Sequence, residues 1–175
     1  MRALKRLWFN LLRSIAATLL NWIPNDQPHG TRLFNALCRH GWYNALEAVL
    51  LREGSDDELE VYMTQRGPYE TFPGEWHVPG TILRSADNGP VDAFKRLAER
   101  ELRTPITSCE LVGEHFNPKE GRGKCLHLIH LLMTGEEPKG GGKWHAVRNL
   151  PQNTIWFHRD HIIPIALAAY RAKQN

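Results

Sequence analysis

Apolar residues recur at three-and-four spacing from Leu4 through Leu7, Trp8, Leu11, Leu12, Ile15, Leu19 and Leu20 to Ile23, with Lys5, Arg6, Asn10, Arg13 and Asn21 between them. That period predicts an amphipathic helix over residues 1–24, ended by Pro24. Asn25 to Gly30 is polar and reads as a linker, and Thr31 to His40 as a short helix, together a connecting region 25–42. From Tyr43 the pattern changes. Tyr43 to Arg52 carries Ala45, Leu46, Val49, Leu50 and Leu51 and reads as a buried strand. Gly54 to Asp57 then makes a turn, and Glu58 to Gln65 alternates as the second strand of a β-hairpin. Arg66 to Glu75 is a loop, and Trp76 to Val78 a short strand leading into Pro79-Gly80. Ala93, Phe94, Leu97, Ala98 and Leu102 mark the apolar side of a helix over Asp92 to Arg103. Two strands follow, near Cys109 to Phe116 and Cys125 to Thr134, joined by Asn117 to Lys124. A glycine-rich loop (Gly135 to Lys143), a strand (Trp144 to Val147) and a closing helix (His161 to Lys173) complete the chain. Strands framing one central helix predict an α/β (α+β) sandwich, a mixed sheet between helices, as one domain over 43–175.

Composition narrows this picture only in places. The 175 residues suffice for one domain with a real core. A net charge of +3 is too small to argue for nucleic acid, so no specific nucleic-acid partner is expected. The surplus is local: Arg2, Lys5, Arg6 and Arg13 stand without an acid, and Lys119 to Lys124 is also basic. Arg13 interrupts the apolar run, which argues against a membrane span and against a signal peptide. The first helix is then expected to dock on the domain or on a second copy of the chain, or else to lie on a membrane surface. Cys38, Cys109 and Cys125 cannot all pair and lack metal-type spacing, which suits free thiols and a cytoplasmic location, with or without membrane contact.

The segment richest in chemistry is Glu75 to Ile106, EWHVPGTILRSADNGPVDAFKRLAERELRTPI. A strand ends at Pro79-Gly80, a loop follows, and a helix carries Glu99 and Glu101 near its end. A backbone carbonyl at the glycine and a helical carboxylate can converge on a hard cation such as Mg²⁺ or Mn²⁺, which takes oxygen ligands and keeps sites for substrate phosphate.

These residues resemble the Nudix hydrolase superfamily, whose box reads G-x5-E-x7-R-E-U-x-E-E-x-G-U, commonly after a W-x-V-P-G-G lead-in. Trp76-His77-Val78-Pro79-Gly80 matches the lead-in, with Thr81 at the box glycine. Asp87 stands for the first glutamate, Arg96 keeps the arginine and Glu101 the last glutamate. Leu97, Arg100 and Arg103 replace two glutamates and the final glycine. Val61 to Arg66 resembles the family's strand ending in Q-R, and Trp144 to Pro151 its W-x-x-x-x-x-L-P segment. The depleted helix DAFKRLAEREL is most similar to that of GDP-mannose mannosyl hydrolases, where one retained glutamate and a glycine carbonyl bind Mg²⁺. By position those are Glu101 and Gly80. No histidine precedes Trp144 where that branch needs its base.

The resemblance implies a Mg²⁺- or Mn²⁺-dependent hydrolase of a nucleoside diphosphate linked to another group, such as a nucleotide sugar. The alternative is a catalytically impaired Nudix-like module that binds a nucleotide or a protein. It further implies Gly80, Glu101 and Glu137 as metal ligands, Glu137 from the loop where many members supply another carboxylate. Asp87 and Glu99 would assist through water. Arg66 and Arg96 are candidate phosphate ligands, as are Lys119 and Arg122 at a basic hairpin tip. His145 and His115 face the expected site if the strand phases are right, and either is a candidate base near neutral pH. His158 and His161 lack the further ligands a zinc site requires.

Overall fold

The computed structural model describes residues 2–23, 30–54, 58–84 and 86–174. The linker expected over 25–29 and the turn over 55–57 lie outside the described residues. The two N-terminal helices form as the periodicity predicts, α1 over Arg2–Asn21 and α2 over Gly30–His40. Strands β1 (Trp42–Glu53) and β2 (Leu59–Gln65) then pair antiparallel, in register Leu51 with Val61.

Strand β1 is the axis of the sheet. One of its edges runs parallel to β6 (Gly123–Thr134) from Trp42 to Leu50, and β6 pairs antiparallel with β5 (Ile106–Glu120). The other edge is shared. Strand β2 takes one end of it, and the short strand β4 (Gly80–Ile82) takes the other, at Ala45 to Glu47. Strands β3 (Trp76–His77) and β7 (Lys143–Ala146) both pair with β2. Strand β4 is absent from the sequence expectation because three residues after Pro79 carry no period. The connection expected over Asn117 to Lys124 is mostly strand. Asn117 and Glu120 are buried, and the chain turns only at Gly121-Arg122.

The two faces of the sheet bury separate apolar clusters. Helix α3 (Pro90–Leu97), which widens into a last turn at Ala98–Leu102, buries Ala93, Phe94, Leu97 and Leu102 against Leu46, Ala48, Leu50, Tyr62 and Leu132. On the opposite face α4 (Ile163–Ala172) and the turn before it bury Ile162, Ile163, Ala166 and Leu167 against Val49, Val61, Met63 and Ile129. This is the expected sandwich, each layer covering one face. Truncating such a fully buried leucine costs about 2–5 kcal/mol. Cys38 and Cys125 are buried free thiols, and Cys109 is a free thiol exposed on β5.

Helix α1 is not docked on its own domain, one of the two docking modes expected for it. Leu7, Trp8, Leu11, Ile15 and Leu19 along it are all exposed, as is Trp22 beyond its end. Helices α3 and α4 cover the two broad faces of the sheet, and α2 packs Phe34 and Cys38 against Tyr43, Ala45 and Cys125.

Candidate functional site

The last turn of the α3 segment opens on a cavity of about 490 Å³. Four elements meet there: the end of β2 (Thr64, Gln65, Arg66), the following loop (Glu70), the helix end (Arg100, Glu101, Arg103) and the glycine loop (Lys139, Gly140, Gly141). His77 of β3 completes the lining. The position of the glycine loop is fixed by backbone contacts. The N–H groups of Lys139 and Gly140 both donate to Leu102 O at 2.9 Å, satisfying a carbonyl that the helix end leaves unpaired. A side chain at Gly140 would come within 1.8 Å of Glu101 O, so only glycine lets the loop cross this close.

Glu101 is the centre of the site. Burial pushes its carboxyl up, to about 7; Arg66 opposes this, and Glu70 and Glu47 reinforce it. Around it the lining contributes four cationic side chains, Arg66, Arg100, Arg103 and Lys139, against two carboxylates, Glu70 and Glu101. Arg66 is poorly satisfied. Its nearest carboxylate oxygen, on Glu70, is 4.0 Å away, and its buried Nε–H has no hydrogen-bond partner. Buried donors are normally paired, so an unpaired guanidinium facing a cavity marks a place for an anion. His77 shares its Nε2 with Thr64 Oγ1 (3.1 Å), and burial, reinforced by Arg66, holds its pKa well below the usual histidine value.

Arg103 ends the helix in the left-handed conformation, φ 52° and ψ 36°. Such a backbone disfavours any residue with a Cβ, at about 1–2 kcal/mol. The resemblance puts a glycine at this position, and here an arginine takes its place and reaches the cavity.

Glu47 is a buried charge beside the cavity that the sequence reading missed; it does not line the cavity but acts on Glu101 through its charge. It is buried in the central strand, His127 Nδ1 lies 2.7 Å from its Oε1, and its Oε2 sits where a Gly80 Cβ would be, at 2.8 Å. The signal was a lone acid in the apolar run ALEAVLL. Glu47 and Gly80 are register partners, yet Ala48 N–H donates to Pro79 O at 2.8 Å. In an antiparallel ladder that makes 47 and 80 a non-hydrogen-bonded pair, and the Gly80 carbonyl points away from β1.

The other predicted residues are placed elsewhere. Asp87 and Arg96 are locked to each other through a short contact and a second bond of 3.1 Å, and Arg96 also donates to Ile82 O at 3.0 Å. They clasp the loop before α3 and do not line the cavity. Glu99 is exposed and off the cavity. Glu137 accepts from Arg52 Nη1 and from Trp144 Nε1, each at 2.7 Å, which holds it outside. Arg122 is paired with Glu120 at 3.1 Å and lies over the Tyr43 ring, and Lys119 stays exposed on the hairpin. His145 pairs in register with Val61 and packs on Trp76 (4.7 Å between centroids), on the α4 face of the sheet. His115 stacks on His161 on that same face. Both miss the cavity because each is one position out of phase with the residues that face α3. Leu97 is sealed in the apolar core, so no second carboxylate adjoins Glu101 on that side of the helix.

Among the described residues, no group of three or more His, Cys, Asp or Glu side chains is placed to hold a metal ion. The cavity itself offers a cation the partly buried Glu101 carboxylate, and Gly80 is not part of its lining; such a donor set fits a cation that arrives with its phosphate better than a resident one. Mg²⁺ commonly takes one or two protein carboxylates, with waters and phosphate oxygens filling the rest of its shell.

No protein-family model matches this sequence, and no curated protein matches it. Solved structures do match. The MutT Nudix hydrolase from Burkholderia pseudomallei superposes with a TM-score of 0.59 at 18% identity, covering 72% of this chain and 97% of that one. The Nudix domain of Shewanella oneidensis NrtR, solved with ADP ribose, gives 0.56 at 17%, covering 91% and 98%. A MutT/Nudix family protein from Enterococcus faecalis gives 0.59 at 20%, covering 77% and 64%. The chain has the fold of these proteins, as the Trp76 to Gly80 lead-in and the helix after it imply.

Proposed function

We propose that this Nudix-fold chain is a divalent-cation-dependent hydrolase of a nucleoside diphosphate linked to another group, acting in the cavity around Glu101. One observation carries the reading: a partly buried carboxyl raised to about 7 lines the same cavity as an arginine with an unpaired buried N–H, among further cations. Such a cavity is complementary to a diphosphate accompanied by a cation. ADP ribose, present in the solved NrtR domain, is a compound of this class and a reasonable first ligand.

In this reading Arg66 and Lys139 grip phosphate oxygens, and Arg100 and Arg103 neutralise charge that develops during cleavage. The cation, when bound, polarises the diphosphate. Glu101 would hold it from the cavity wall; the Gly80 carbonyl, the second ligand that the resemblance implies, does not line the cavity and would have to reach the cation from its edge. With a pKa near the working pH, Glu101 is also suited to exchange a proton with water.

The burial of Leu97 and the presence of Arg100 where the family has carboxylates favour a second reading, a module that binds the same ligand without turnover. A screen of nucleotide sugars and of nucleoside di- and triphosphates with Mg²⁺ or Mn²⁺, run beside Glu101→Gln, separates the two. The first reading expects turnover that falls about 100-fold or more in the variant. Cation-dependent binding without turnover establishes the second. Activity unchanged in Glu101→Gln overturns the site assignment.

A further inference from the structure

Helix α1 has no place in the catalytic reading. Its twenty residues contain no acid, and Lys5, Arg6 and Arg13 are exposed along it. Projected at 100° per residue, Leu7, Trp8, Leu11, Leu12, Ile15 and Leu19 fall in one arc, with Arg6 and Arg13 on the far side. All six apolar side chains are exposed, and Trp8 is 61% exposed. No described helix is long and apolar enough to cross a membrane.

An apolar stripe left uncovered requires a partner. The domain offers none, because α3 and α4 cover the faces of its sheet. Pairing two copies of α1 would cover the stripe but bring no acid to the cations. An anionic lipid surface meets both requirements: it takes the apolar stripe into the headgroup–acyl boundary and pairs the cations with phosphate or carboxylate headgroups. Trp8 and Trp22 suit that boundary, having an apolar ring and an N–H that stays wet. The same character continues past α2, which also lacks acids. There the exposed rings of Trp42 and Phe116 lie 5.3 Å apart, and Trp42 pairs in register with exposed Lys124.

We infer that α1 binds the surface of an anionic phospholipid bilayer, lying along it and holding the Nudix-fold domain there. The inference does not depend on the catalytic reading.

The test is co-sedimentation of the full chain with phosphatidylcholine vesicles, with and without phosphatidylserine. A Lys5→Glu/Arg6→Glu/Arg13→Glu variant and a Leu11→Asp/Ile15→Asp variant are measured alongside. Binding is expected only with phosphatidylserine, weakening with salt, and falling about 100-fold or more in the charge variant. The apolar variant is expected to lose it too. Circular dichroism and urea unfolding of both variants report that the domain is intact. Equal binding to both kinds of vesicle, or no binding to either, overturns the inference. So does a dimer in light scattering that the apolar variant dissolves while vesicles stay unbound, since α1 then covers a second copy.

Discussion

The two ends of the α3 segment use charge in opposite ways. At the entry, Asp87 and Arg96 are matched as an ion pair and both also bond the loop backbone, with only the buried Arg96 Nε–H left over. At the exit, Arg66, Arg100, Arg103 and Lys139 line a cavity with two carboxylates; Lys139 is paired with Glu136, but the carboxylate nearest Arg66 is 4.0 Å away, too far to hydrogen-bond its guanidinium. A closed pair holds a loop, whereas an unbalanced cluster stays available for something that arrives. Both ends coincide with positions of the Nudix box, so sequence position alone does not separate structural charge from functional charge.

Substitutions test this contrast. The largest effect on stability is expected where the box glutamate is restored by Leu97→Glu. The carboxylate would be buried among Leu46, Leu50 and Leu132 with no partner, and the loss is about 3–5 kcal/mol in urea unfolding. If the variant folds normally and gains turnover, this core position belongs to the site. Next is Arg96→Met, which leaves Asp87 without its cation. It should cost about 1.5–3 kcal/mol while ligand affinity is unchanged. Burial alone would raise the Asp87 carboxyl, but Arg96 and the Arg84 N–H outweigh it and hold the pKa below the usual aspartate value. That contribution to stability is therefore present at neutral pH and lost as pH falls through the depressed pKa, a loss the variant should no longer show.

Arg66→Gln should do the reverse, leaving unfolding nearly unchanged and weakening diphosphate binding about 10- to 100-fold in calorimetry. Loss of stability without loss of affinity would make Arg66 structural. The smallest effect is expected from Arg103→Gly. Relief of the left-handed backbone should stabilise by about 1 kcal/mol, less the small entropy cost of glycine. Removal of a cavity cation should at the same time weaken binding.

Much of the fold was legible because periodicity and the Trp76 to Gly80 lead-in agree on the same order of elements. Of the residues that line the cavity, Glu101 and Arg66 are singled out by position in the sequence. The buried Glu47 beside it is not, since its placement depends on β1 meeting both β4 and His127, contacts between distant parts of the chain. His145 and Glu137 show the opposite failure. Each lies near the right loop in sequence, but the phase of β7 turns His145 to the α4 face, and Arg52 claims Glu137. Pairing of charges, unlike their presence, is a property of the folded chain. The same holds for α1: its period predicted a helix with an apolar side, but only the occupied sheet faces show that the domain leaves that side bare.

The most direct test of the Glu101-centred cavity is a titration of the protein with a methylene-bridged analogue of ADP ribose, with and without Mg²⁺. It is run for wild type and Glu101→Gln, below and above pH about 7. Because the Glu101 pKa is raised by burial, its proton competes with the cation at low pH. Mg²⁺ should therefore tighten wild-type binding roughly tenfold or more above pH 7, less below it, and hardly at all in Glu101→Gln. Binding that is equally strong with and without Mg²⁺, and unchanged by Glu101→Gln, would contradict the account.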